Sequence, residues 1–180
     1  MTDLERVERL IELGCGERPN NDLGRDSIAI GVDLNIEALQ TARRSAERWS
    51  LVCADARALP IQSSSISHIS LRAVLHHLVP IQPILAELAR VLCVDGSMTI
   101  IDGVALSNDE ASLLDAELAR AGLDAEPIYG FDLRELTEQI EQAGLRVEQL
   151  DIDGTATFAT PPFVSKTYES DRFILSVCRP

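Results

Sequence analysis

The chain has 180 residues, 46% of them hydrophobic and 25% charged, and a formal net charge of −13. That is one domain's worth of chain, with enough apolar side chains for a core, no apolar run long enough to cross a bilayer and no signal-peptide pattern, so the cytoplasm is the expected compartment. The acidity repels a phosphate backbone and makes nucleic acid an unlikely acceptor.

Taken in chain order, short apolar runs alternate with helical patterns, the signature of β-α-β units and a mostly parallel sheet. Strands are predicted at 10–13, 27–33, 51–54, 68–71, 97–102, 146–151 and 172–177. Helices are predicted at 36–47, capped by Asn35, at 81–92 with Ile84, Leu85, Leu88, Val91 and Leu92 on one face, at 109–121, and at 132–143, stopped by Gly144. Seven strands and about five helices make a single domain over 1–180. Two stretches break the alternation. Residues 15–26 are rich in Pro, Asn, Asp and Gly where a crossover helix is usual, so any helix there is short. Residues 154–170 are predicted as a long polar and aromatic loop, with Phe158, Phe163, Lys166 and Tyr168 facing an acceptor. With nine residues before the first strand, the site is expected to be closed by this loop, by a second subunit or by a large acceptor.

Cys15, Cys53, Cys93 and Cys178 are scattered without metal-ligand spacing and are predicted as buried thiols. Only His68, His76 and His77 are available as imidazole ligands, and no metal is expected. Trp49 is predicted to pack rather than to stack on a ligand.

The chemistry concentrates on strand ends. Ile-Glu-Leu-Gly-Cys-Gly at 11–16 places Gly14 and Gly16 just after an apolar strand, where missing Cβ atoms let backbone N–H groups approach a ligand. Gly-Val-Asp at 31–33 ends the second strand with an acid suited to ribose hydroxyls, and Cys-Ala-Asp-Ala at 53–56 places another acid on the same sheet edge, suited to an adenine amino group. Each acid ends an apolar strand, where an unpaired buried carboxylate is costly. His76 and His77, directly after the fourth strand, are candidate general bases or mere lining of the pocket floor. Arg72 beside them either binds a carboxylate or forms a surface ion pair.

This ordered set resembles the class I S-adenosylmethionine (SAM)-dependent methyltransferases, most closely their small-molecule, methyltransferase type 11-like branch. Glu12-Leu-Gly14-Cys15-Gly16, Asp33, Asp55, Leu59-Pro60, Ser65, Ala73-Val-Leu-His-His77, Glu87-Leu-Ala-Arg90-Val-Leu92 and Asp95-Gly96 follow that branch's order over residues 8–103. The resemblance implies a Rossmann-like three-layer α/β sandwich with strand order 3-2-1-4-5-7-6, strand 7 antiparallel. It implies SAM as cofactor, with Glu12, Gly14, Cys15 and Gly16 at the methionine end, Asp33 and Leu34 at the ribose, Ala54, Asp55 and Ala56 around adenine, and Leu71 beside the methyl. The catalytic candidates are His76, His77 and Arg72. The acceptor is a small molecule or peptide, methylated by proximity and in-line alignment, and a homodimer is compatible. Glu17-Arg18-Pro19-Asn20 departs from the family's third glycine, which weakens the methionine-end assignment and also argues against NAD. The absence of Pro-Pro-Tyr or Pro-Pro-Phe after the fourth strand argues against amino methylation of DNA bases. The alternative is a non-catalytic methyltransferase-like partner subunit.

Overall fold

A computed structural model describes residues 8–19, 27–124, 129–159, 164 and 167–180. Its seven strands are β1 (Arg9–Leu13), β2 (Ile28–Asp33), β3 (Trp49–Cys53), β4 (Ile66–Arg72), β5 (Leu92–Gly103), β6 (Arg146–Ala159) and β7 (Tyr168–Cys178). They form one sheet in the order β3-β2-β1-β4-β5-β7-β6. β1 to β5 run parallel to one another, whereas β7 runs antiparallel to both β5 and β6. The predicted order and the reversed seventh strand are both present.

Helices α1 (Ile36–Ala42), α2 (Gln82–Val91), α3 (Asn108–Ala121) and α4 (Leu133–Gln142) and a one-turn 3-10 helix at Leu75–His77 complete the described elements. Asn35 caps α1 as predicted, its side chain accepting from the N–H groups of Glu37 and Ala38 at 2.9 and 3.1 Å. The helix ends earlier than its predicted limit of 47, because the exposed Arg43, Arg44 and Ser45 bring no apolar face to the sheet. Gly144, at φ +80°, follows α4 in the left-handed conformation that lets the chain turn into β6.

Ile84, Leu85, Leu88 and Val91 of α2 and Leu136 and Ile140 of α4 press on one face of the sheet, meeting Ile11, Leu13, Ile69, Leu71, Met98, Ile100, Phe173 and Leu175. Truncating a buried leucine in such a core costs about 2–5 kcal/mol. A smaller cluster of Leu106, Leu114, Leu118, Tyr129, Val164 and Tyr168 lies under α3.

Of the described residues in the predicted loop at 154–170, 154–159 and 168–170 are strand. Thr155–Phe158 continue β6 and pair with residues of a β7 that begins at Tyr168. The sequence looked like a loop because these small and polar residues carry little apolar alternation, and cross-strand pairing supplies what local pattern lacks. Tyr168 is buried in the cluster under α3, its hydroxyl 3.1 Å from Glu117 Oε1, so its ring does not face an acceptor. Phe163 and Lys166, and residues 20–26 of the 15–26 segment, lie outside the described residues. Trp49 opens β3 opposite Ala29, at the end of the strand away from the site, consistent with packing.

Candidate active site

The C-terminal ends of β1, β2, β3 and β4 converge on a cavity of about 490 Å³. Gly14, Asp33, Leu34, Ala54, Asp55, Ala56, Ala73 and His77 are among its lining residues. That volume lies within the usual range for small-molecule and cofactor pockets.

The turn after β1 is built around two glycines in the left-handed region, Gly14 at φ +68° and Gly16 at φ +55°. At Gly14 the room for a side chain is already taken by Val74, whereas a Cβ on Gly16 would meet no atom within 4 Å. Among the described residues Gly16 therefore leaves open space on its Cα side, while the N–H groups of Gly14 and Cys15 both reach the Val32 carbonyl, at 2.8 and 3.2 Å, so the turn is held by its own hydrogen bonds. Cys15 between them turns its thiol inward over Gly31, so only its backbone can contact a ligand. Burial, with Asp33 and Glu12 nearby, pushes this thiol up to about 12. Thiol labelling at neutral pH should modify the exposed Cys53 and spare Cys15, Cys93 and Cys178, which are buried. Mass spectrometry of protein treated with iodoacetamide checks this, and rapid labelling of Cys15 in the folded chain would contradict the inward placement.

Asp33 is half-buried at the end of β2. Its Oδ2 accepts from the Gly16 N–H at 2.8 Å and its Oδ1 from the Asn35 N–H at 2.8 Å. The same carboxylate thus ties the glycine turn to the start of α1. Since an ionised carboxylate has about four lone-pair sites, it keeps capacity for further donors. Asp55 is gripped by the Arg57 fork, Nε at 3.0 Å from Oδ1 and Nη2 at 2.6 Å from Oδ2, and also accepts from the Arg57 N–H at 2.8 Å. These hydrogen bonds from Arg57 hold the Asp55 carboxyl down to about 2, so it is anionic at any physiological pH. The sequence reading missed Arg57, although its spacing of two from an acid in a turn is a local signal.

Arg72 forms an ion pair whose partner is buried. Its Nη2 lies 2.7 Å from Oε1 of Glu12, whose side chain is 6% exposed while that of Arg72 is 40% exposed. The two residues sit on adjacent strands, β1 and β4, at the methionine end inferred from sequence. The motif residues Glu87 and Arg90 have a supporting role. Glu87 Oε1 accepts from the Leu59 N–H at 2.6 Å while Arg90 Nη2 donates to the Leu59 carbonyl at 3.2 Å, clamping the chain after Asp55 onto α2.

The two adjacent histidines lie ring against ring, centroids 4.0 Å apart, yet line different cavities. His77 lines the cavity just described. His76 is buried, its Nδ1 2.8 Å from Asp102 Oδ1 and its backbone N–H 3.3 Å from Oδ2. Asp102, also buried, ends β5 and additionally accepts from the Gly103 N–H at 2.9 Å. Sequence reading missed Asp102, although it is another acid closing an apolar strand, the signal that picked out Asp33 and Asp55. His76 and Asp102 line a second cavity of about 410 Å³, together with Arg72, Ala73 and residues 155–158 of β6. Ala73 borders both cavities. It is held at φ +48°, a strained conformation for alanine, with its N–H on the Ile101 carbonyl at 2.8 Å.

A family model for a methyltransferase domain matches residues 11–100. Among solved structures, the fold is shared with a SAM-dependent methyltransferase of Methanosarcina mazei at 14% identity and a TM-score of 0.73, over 98% of this chain and 94% of that one. A SAM-dependent methyltransferase of Aquifex aeolicus is similar at 16% identity and 0.68, over 97% and 85%. A third is the geranyl diphosphate C-methyltransferase of Streptomyces coelicolor, solved with Mg²⁺, geranyl diphosphate and S-adenosylhomocysteine, at 13% identity and 0.74, over 97% and 73%.

Proposed function

This chain belongs to the methyltransferase-domain family and its cofactor is SAM, and we propose that it transfers the methyl group to a small-molecule or peptide acceptor held in line. The observation that carries this reading is the 490 Å³ cavity, lined by Asp33 and Asp55 at strand ends and by Gly14 at the turn after β1. The donor set fits an adenosine with a charged amino-acid tail. Asp33 has remaining acceptor capacity for two ribose hydroxyls, with Leu34 beside it, and Asp55, between Ala54 and Ala56, offers an anionic acceptor to the adenine amino group. Glu12 and the backbone of Gly14, Cys15 and Gly16 take the methionine end, and Leu71 ends the strand beside the methyl.

Bound SAM supplies an electrophilic methyl on a sulfonium. The chain's part is to fix the acceptor against it, since alignment alone is worth a large share of such a barrier. Arg72, oriented by Glu12, sets the local charge beside Ala73, and a histidine of the His76–His77 pair takes a proton where the acceptor has one to lose. Among the described residues no group of three His, Cys, Asp or Glu side chains is placed to hold a metal ion. Isothermal calorimetry should give a saturable heat with SAM and with S-adenosylhomocysteine, and S-adenosylhomocysteine release should survive EDTA. No heat with either ligand would refute the proposed binding site.

A further inference from the structure

We propose that the 410 Å³ cavity beside β4 and β5 is the acceptor site, and that it takes a compact hydroxyl compound whose proton is removed by His76, with Asp102 as positioning residue. The inference rests on the methyltransferase reading and adds to it the substrate class. Three observations combine. First, the two cavities have Ala73 as a common wall, so an acceptor in one lies next to a cofactor in the other. Second, Asp102 receives both the backbone N–H and the ring Nδ1 of His76, while a further bond from Gly103 fixes the carboxylate itself. A ring held this way carries its proton on Nδ1 and leaves Nε2 as the basic nitrogen. Third, among the described residues Nε2 has no hydrogen-bond partner, yet no buried side-chain nitrogen or oxygen of those residues lacks one, so Nε2 is not sealed off and sits on a residue that lines the cavity.

The chemistry of this arrangement selects the acceptor. A carboxylate or an ionised thiol attacks a methyl group without help, whereas a hydroxyl becomes a competent nucleophile as its proton leaves. The walls are mixed, with Phe158, Ile101, Ile174 and Ala156 beside Thr155 and Thr157. Phe158 stands edge-on to His76 at a centroid distance of 6.3 Å. This suits a single ring bearing a hydroxyl. In the transfer the acceptor oxygen bonds to the methyl carbon as the sulfonium C–S bond breaks, with the electron pair staying on sulfur. The hydroxyl proton passes to Nε2. The products are a methyl ether, S-adenosylhomocysteine and an imidazolium, and the positive charge has moved from sulfur to His76.

The test uses the full chain with SAM or S-adenosylhomocysteine, and a panel of phenol, catechol, glycerol and glucose against thiophenol and benzoate. Nitrogen-15 NMR of the histidine rings should place the His76 proton on Nδ1, and a hydroxyl compound of the panel should shift the Nε2 resonance saturably. That compound should also be methylated. His76→Gln should lower its methylation by about a hundredfold or more while leaving any methylation of thiophenol within a few-fold. Asp102→Ala should move the His76 proton to Nε2 and lower hydroxyl methylation by about tenfold or more, with retained SAM binding as the control for folding. A proton on Nε2 in the unmutated protein, or a His76 resonance and a turnover assay both indifferent to every hydroxyl compound, would overturn the proposal. Either result would leave SAM binding, and the broader reading, standing. Loss of SAM binding in the unmutated chain would instead refute that broader reading.

Discussion

Asp33→Ala should weaken SAM binding by about a hundredfold or more, measured by calorimetry against the unmutated chain. Two losses add at this position. The carboxylate's hydrogen bonds to ribose hydroxyls disappear, and charge-assisted bonds contribute about 1.5–3 kcal/mol each. The Gly16 and Asn35 N–H groups also lose the acceptor that holds both at 2.8 Å, so the glycine turn is no longer fixed against α1. At 1.4 kcal/mol per factor of ten, the first loss alone accounts for one to two decades. Asp33→Asn, which keeps one oxygen but turns a donor toward one of the two N–H groups, should fall between. A dissociation constant for Asp33→Ala within threefold of the unmutated value would remove Asp33 from the ribose site.

The two glycines of the same turn should fail in opposite ways. Gly14→Ala forces a Cβ into the space held by Val74, whose own Cβ lies 2.8 Å away, on a backbone at φ +68°. The left-handed conformation costs an alanine about 1–2 kcal/mol and overpacking about 1–3 kcal/mol more. For a chain of this size each kcal/mol lowers the melting temperature by about 2–4 °C, so a drop on the order of 10 °C is expected. Gly16→Ala meets no atom within 4 Å and should carry only the conformational cost, about 1–2 kcal/mol. If the methionine end of SAM lies against this turn as proposed, the new methyl group stands in its way and SAM affinity should drop by about tenfold or more. Thermal melts and calorimetry on both variants separate the two effects. A Gly16→Ala protein with full affinity would show that the cofactor does not approach that backbone.

How much of this was legible in the sequence depends on how far apart the cooperating residues lie. Asp33, Asp55 and the Gly14–Gly16 turn could be found because each follows an apolar strand directly, and the strand end is where a parallel sheet leaves room for a ligand. Asn35 could be named as a cap from its place before α1. Arg72 could be singled out but not assigned, since its partner Glu12 is on another strand and only the β1–β4 register brings them together. The His76–Asp102 pair was hidden for the same reason, His76 standing on the 3-10 turn beyond β4 and Asp102 near the end of β5. The continuation of β6 through Thr155–Phe158 was misread because Thr, Ala and Thr have no clear periodicity. Tyr168 was misplaced because the inward or outward sense of a strand residue depends on a partner strand not visible locally.

The position of β7 between β5 and β6 also fixes an order of events during synthesis. Asp102 on β5 finds its partner only in Phe173 on β7, so the outer edge of β5 carries unsatisfied N–H and C=O groups while α3, α4 and β6 are being made. β6 touches the rest of the sheet only through β7, and cannot seal that edge in its place. A nascent chain ending anywhere before Tyr168 therefore exposes a strand edge on which a second nascent chain can pair, and the C-terminal hairpin, whose contacts span the greatest sequence distance in the sheet, is the segment that ends this exposure.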